Sequence, residues 1–259
     1  MTIEPFPMRQ WGLPEPGELD RIVVVSPHLD DAVLGTARLL SRHPGATVVT
    51  AFAGNPPAYP DPMRKWDVQS GFAPGDDVMA VRRDEDQAAL AVLDATPKWL
   101  DFVEYSYNPG DEPVAPHEIA GPLADALVAL DPTLVLIPFG LANPDHDVTH
   151  RACMRARDDE RLANAAWWCY EDTGYKHIPG MLAWRVSQLF RRQVWPTPMA
   201  VPIDPSDARK QKAVACYPTQ LRALEEDWQL SVKLDAPVPE QYWRLAPPPE
   251  GWGALADQG

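Results

Sequence analysis

Residues 21–35 read Arg-Ile-Val-Val-Val-Ser-Pro-His-Leu-Asp-Asp-Ala-Val-Leu-Gly. An apolar run, 22–25, stops at Pro27 and is followed at once by His28, Asp30 and Asp31. Such a run predicts a parallel strand buried on both faces. Leu34, Leu39 and Leu40 then continue on one side of a helix expected over 31–42. In an open α/β sheet, ligands bind just beyond the carboxyl ends of the strands. One imidazole and two carboxylates therefore stand where chemistry is expected, and they are the nitrogen and oxygen donors of a catalytic zinc site.

The stretch 138–150, Pro-Phe-Gly-Leu-Ala-Asn-Pro-Asp-His-Asp-Val-Thr-His, repeats this logic. An apolar strand expected at 133–137 ends in Pro138, and Asn143, Asp145 and His146 crowd the entrance of a helix expected over 145–157. Further strands are predicted at 46–52, 99–103 and 165–170, and further helices at 79–95 and 119–130. This alternation indicates a Rossmann-like, doubly wound, mostly parallel sheet. Segments 183–190 and 194–201 are expected to pair as a small antiparallel extension, and 204–216 and 219–230 to form closing helices. With strand order 3-2-1-4-5, strands 1 and 4 are neighbours at the topological switch point, so the two His/Asp segments face each other. Two His and one Asp with an open position make the pattern of a hydrolytic zinc site.

The 259 residues read as a single domain, with no repeat and no composition break. A net charge of −14 argues against a nucleic-acid partner. No apolar run approaches a membrane span, no signal peptide is visible, and three widely spaced cysteines suit a reducing compartment. The expected setting is cytoplasmic, with a small-molecule partner and self-association left open. Thirty prolines gather in loops such as 55–62, 108–116, 195–205 and 236–249.

Pro27-His28-Leu29-Asp30-Asp31 and Asn143-Pro144-Asp145-His146 resemble the two motifs of the LmbE-like (PIG-L type) zinc-dependent N-deacetylases. Arg82 to Glu85 is similar to the family's Arg-x-x-Glu helix, and Tyr170-Glu171-Asp172 with Tyr175 to its Tyr-Glu-Asp segment. The likeness covers roughly residues 20–222. It implies that His28, Asp31 and His146 hold zinc, that Asp30 is the general base for the attacking zinc-bound water, and that Asp145 orients its neighbours. The implied activity is deacetylation of an N-acyl amino sugar or a glycosylated small metabolite. Similar ligands also accept Fe2+.

The chain departs from the family's usual His at Asn143 and at Tyr217. An amide can donate to an oxyanion, so Asn143 is a candidate catalytic residue, but it supplies no proton at neutral pH. Arg82, Tyr170, Trp66 and His150 are candidate substrate contacts: Trp66 for stacking on a sugar ring, His150 because it shares a helix face with His146. Plainer readings stand beside these: Asp30, Asp31 and Asp145 as helix caps, Asn143 as a strand terminator, and Arg82 on a solvated charged face. The alternative for the whole chain is a non-catalytic metal- or ligand-binding module of the same fold. A dinucleotide-binding reading fails, because no glycine-rich phosphate turn follows strand 1.

Overall fold

A computed structural model describes residues 12–202, 204, 207–231 and 240–248. The chain runs β1 (Ile22–Ser26), α1 (Asp31–Leu40), β2 (Thr47–Thr50), α2 (Lys65–Ser70), α3 (Val78–Val92), β3 (Thr96–Trp99), α4 (Pro116–Leu130) and β4 (Leu134–Pro138). It continues through α5 (Pro144–Ala156), β5 (Ala166–Tyr170), α6 (Met181–Arg191), β6 (Trp195–Met199), α7 (Arg209–Val214), α8 (Pro218–Trp228) and β7 (Tyr242–Ala246).

The described strands form one seven-stranded sheet in the order β3-β2-β1-β4-β5-β7-β6. The first five are mutually parallel, and β7 runs antiparallel to both β5 and β6. Side chains alternate across a strand, so β1 feeds two cores at once. Ile22 and Val24 pack with Leu39, Leu90 and Leu136 on the face of α1, α3 and α7. Val23 and Val25 pack with Leu123, Leu127 and Val148 on the face of α4 and α5. Burial on both faces is why β1 and β4 are apolar at nearly every position.

Four expectations shift. Segment 183–190 is not a strand: it lies in α6, where Leu182, Val186 and Leu189 recur at helical spacing and pack on the second core. The antiparallel partner of β6 is instead β7, which interrupts the proline-rich stretch 236–249; part of that stretch lies outside the described residues, as do 1–11. The third strand is Thr96–Trp99, not 99–103. It is an edge strand, where Pro97 is tolerated and polar residues are half-exposed. The loop 53–77 carries α2.

Strand β1 lies between β2 and β4, so the chain leaves it at the point where strand order reverses. The starts of α1 and α5 meet there. Close backbone approach ties the chain after β2 to the chain after β3: Gly54 donates its N–H to Phe102 O at 2.9 Å, and a Cβ at Gly54 would stand 2.2 Å from Asp101 O. Gly54→Ala should destabilise the protein by about 1–3 kcal/mol, the range of overpacking. The check is the denaturant midpoint at constant m-value; a wild-type midpoint would contradict this packing.

Candidate metal centre and catalytic cavity

The end of β1 is folded tightly. Ser26 Oγ donates to His28 O at 2.6 Å and accepts Ala32 N–H at 3.0 Å. Asp31 opens α1, and its Oδ2 accepts the His28 backbone N–H at 3.0 Å. The same oxygen lies 3.1 Å from His28 Nδ1 and 3.1 Å from His146 Nε2, which α5 brings across from β4. Ligand atoms of His28, Asp31 and His146 all lie within 4.8 Å of one another.

The outer ring nitrogens are held as well. His28 Nε2 is 3.0 Å from Asp145 Oδ2, and His146 Nδ1 is 2.5 Å from Asp172 Oδ1. Asp145 in turn accepts the Tyr105 N–H at 3.2 Å, and Asp172 accepts the Gly140 N–H at 3.0 Å. A carboxylate on the outer nitrogen fixes the tautomer and aims the inner lone pair, the arrangement that supports metal-ligating histidines. The inner atoms, two imidazole nitrogens and one carboxylate oxygen, fit zinc.

The charge balance agrees with a cation site. Burial alone would lower the His28 pKa, yet Glu104, Asp145 and Asp31 outweigh it and raise it well above the usual value. Burial likewise opposes the charge on His146, but Asp31 and Asp172 lift it to about 9. Asp31 is held well below the carboxylate range, because the two imidazoles overcome its burial. Buried negative charge thus gathers around both rings and favours positive charge there. Asp30 differs: burial first, then Asp31, raise it to about 7. It precedes α1 but makes no side-chain capping bond; it lines the cavity beside Asp31. Capping therefore does not account for it.

The cavity holds about 240 Å3. Besides the three histidine and aspartate donors and Asp30, it is lined by Asn143, Trp66, Arg82, Tyr105, Tyr175 and Trp228. Asn143 caps α5, its Oδ1 accepting Asp145 N–H at 2.8 Å, while its Nδ2 donates to Tyr175 Oη at 3.5 Å. It is a cap and a cavity residue at once. The side chain of Asp145, fully buried, serves His28 and Tyr105 and not the helix end. Trp66 stands in the wall with its indole N–H on Gln220 Oε1 at 3.1 Å. Arg82 reaches the cavity but is only 3% exposed and ion-paired with Glu104, so it is no solvated face.

Two of the candidate substrate contacts lie outside the cavity. Tyr170 is buried, donates to Val25 O at 3.1 Å and packs its ring against Gly35. His150 is buried, with Nδ1 2.9 Å from Pro138 O, and burial lowers its pKa to about 3. Both brace the strand ends that carry the centre. Tyr217 also lies away from the cavity, donating to Asp86 Oδ1 at 2.8 Å. Sequence reasoning missed Glu104, and reached Asp172 and Tyr175 only through the family's Tyr-Glu-Asp segment. Asp172 carried a usable signal, a carboxylate at a strand end; Glu104 follows a polar edge strand and carried none.

If Asp172 aims His146, Asp172→Asn should weaken zinc binding about 10–100-fold, the usual effect of losing such a partner. His28→Ala or His146→Ala should abolish it. Zinc titration of folded variants measures both, and wild-type affinity in all three would remove the centre.

The model of the PIG-L family, GlcNAc-PI de-N-acetylase, matches residues 23–157. No curated protein sequence matches the chain. Among solved structures, the A40926 pseudoaglycone deacetylase superposes with a TM-score of 0.72 at 27% identity, over 88% of this chain and 98% of that one. The zinc-inhibited form of a teicoplanin deacetylase gives 0.70 at 25% identity, over 89% and 99%. A 4-carboxy-2-hydroxymuconate hydratase from Pseudomonas putida shares the fold alone, with a TM-score of 0.55 at 17% identity over 88% and 97%. With more than half its length matched and both sequence motifs facing one cavity, the chain belongs to the PIG-L (GlcNAc-PI de-N-acetylase) family.

Proposed function

We propose that the protein is a zinc-dependent N-deacetylase acting on an N-acyl amino sugar, free or carried by a larger glycosylated metabolite. One observation carries this reading: two carboxylate-oriented imidazoles share the single oxygen Asp31 Oδ2, and the carboxylate of Asp30 lies beside them in the same cavity. Family membership supports the amide-hydrolysing chemistry, and the A40926 pseudoaglycone and teicoplanin deacetylases support a larger metabolite as the carrier.

His28, Asp31 and His146 would hold the ion, which polarises the acyl carbonyl and acidifies water. Asp30 takes the proton from the attacking water as oxygen adds to the acyl carbon. Its burial favours holding that proton until the C–N bond breaks, and it then delivers the proton to the leaving amine. Asn143 Nδ2 offers one donor to the oxyanion that forms. Its Oδ1 is committed to the helix cap, so the amide cannot turn over. The Trp66 indole provides a flat face for the sugar ring. The protein acts as one domain on a small molecule. Among the described residues no helix is long and apolar enough to cross a membrane.

The test is release of free amine from a panel of N-acyl amino sugars, alone and linked to aromatic aglycones. Turnover should vanish with a chelator and return with stoichiometric zinc. A zinc-loaded protein inert on the whole panel would instead support the non-catalytic module. Asp30→Asn should retain zinc and lose at least about 10²-fold in kcat; near-normal kcat would remove the base. Asn143→Asp keeps the capping oxygen but loses the donor. It should reduce kcat about 10²-fold or more without melting α5, whereas unchanged kcat would leave Asn143 a cap alone.

A further inference from the structure

The hydrogen-bond polarity around Asn143 leaves the phenolic proton of Tyr175 uncommitted to that contact. The Asp145 backbone N–H can only donate, so the atom of Asn143 that faces it at 2.8 Å is the carbonyl oxygen. The other end of the amide is then NH2, and at 3.5 Å from Tyr175 Oη it donates to that oxygen. The phenol oxygen accepts from Asn143, and its own proton is left to serve another acceptor. Among the described residues no acceptor for that proton is recorded within the protein, and Tyr175 lines the cavity with Asp30, Asp31 and His28. A phenol ionises near pH 10, so the proton is present at neutral pH.

The ring is not free to swing. It meets the His146 imidazole edge-on, with centroids 5.1 Å apart at 90°, and the Trp228 indole at 5.0 Å and 88°. Gly174, at φ +87°, sets the turn that presents it. A donor held in place before charge develops is what makes an oxyanion site effective, since no reorganisation is needed during reaction.

We infer that Tyr175 donates its phenolic proton to the oxyanion formed at the acyl carbon, pairing with Asn143 Nδ2 as a two-donor site. This rests on the deacetylase reading. No bond to Tyr175 is made or broken: the hydrogen bond strengthens as the carbonyl oxygen gains charge and relaxes when the C–N bond breaks. Both donors are neutral at pH 7, and the proton for the amine is left to Asp30.

Tyr175→Phe removes the hydroxyl and keeps the ring between His146 and Trp228. The expected result is a fall in kcat of about 10²-fold, KM within about 2-fold, and unchanged zinc content. A methylphosphonamide analogue of the N-acetyl sugar, which mimics the tetrahedral adduct, should bind the zinc-loaded variant about 10²-fold more weakly. The deacetylated amine product should bind both proteins equally. Should the variant fail to fold, the wild-type complex with the phosphonamide decides: a phosphonyl oxygen should lie about 2.5–3.0 Å from Tyr175 Oη. Wild-type-like kcat and phosphonamide affinity, a change in KM alone, or a separation beyond about 4 Å would overturn the inference. Those outcomes require an active wild type, whereas a wild type with no turnover overturns the deacetylase reading itself.

Discussion

One carboxylate oxygen ties the molecule's two halves together. Asp31 Oδ2 accepts from the His28 backbone and faces both imidazoles at 3.1 Å, one from each side of the switch point. Asp30, Asp145 and Asp172 surround the same rings. Four carboxylates around two imidazoles cannot all stay charged in a buried space without added positive charge. The same carboxylates favour the charged form of both histidines against their burial. A divalent cation supplies the added positive charge with better geometry, because the inner lone pairs already converge. The rest of the site follows from this demand: the sheet brings the rings together, and backbone N–H groups of Tyr105 and Gly140 hold the outer carboxylates.

The centre is built at the ends of β1 and β4, whereas the cavity around it draws on later segments. Its walls come from segments far apart in sequence. Helix α2 in the loop after β2 and helix α8 near the C-terminal end pack on each other. Trp66 bonds Gln220, and Gln69 bonds Asp227. Trp228 then supports Tyr175, which supports His146. The closing helices are thus part of the wall that a substrate meets, and a change in α8 reaches the metal-facing ring through two aromatic contacts. The shared fold of a hydratase shows that the sheet alone does not dictate the reaction.

What could be read from sequence tracks burial. Strands β1 and β4 are buried on both faces, so their composition announces them, and the His and Asp residues at their ends mark the site. Strand β3 sits at an edge and carries Thr96, Pro97 and Lys98, so its signal is weak and its position was misjudged. Segment 183–190 has apolar residues that satisfy both periods, and only packing selects the helix. Tyr170 and His150 were reasonable candidates by position, but a strand end also needs bracing, and both hydrogen-bond backbone carbonyls there. Asp172 is marked by its place at a strand end, but its role on His146, like that of Tyr175 beside Asn143, comes through a partner more than 25 residues away.

The central claim is that two imidazoles and one carboxylate, aimed by buried aspartates, form the metal centre. X-ray absorption at the zinc edge on stoichiometrically loaded protein tests it most directly. The account predicts one zinc per chain with two imidazole nitrogens at about 2.0–2.1 Å, carboxylate and solvent oxygens at about 2.0–2.2 Å, and no sulfur. Sulfur at about 2.3 Å, from any of Cys153, Cys169 or Cys216, or a shell with fewer than two imidazoles, would contradict it.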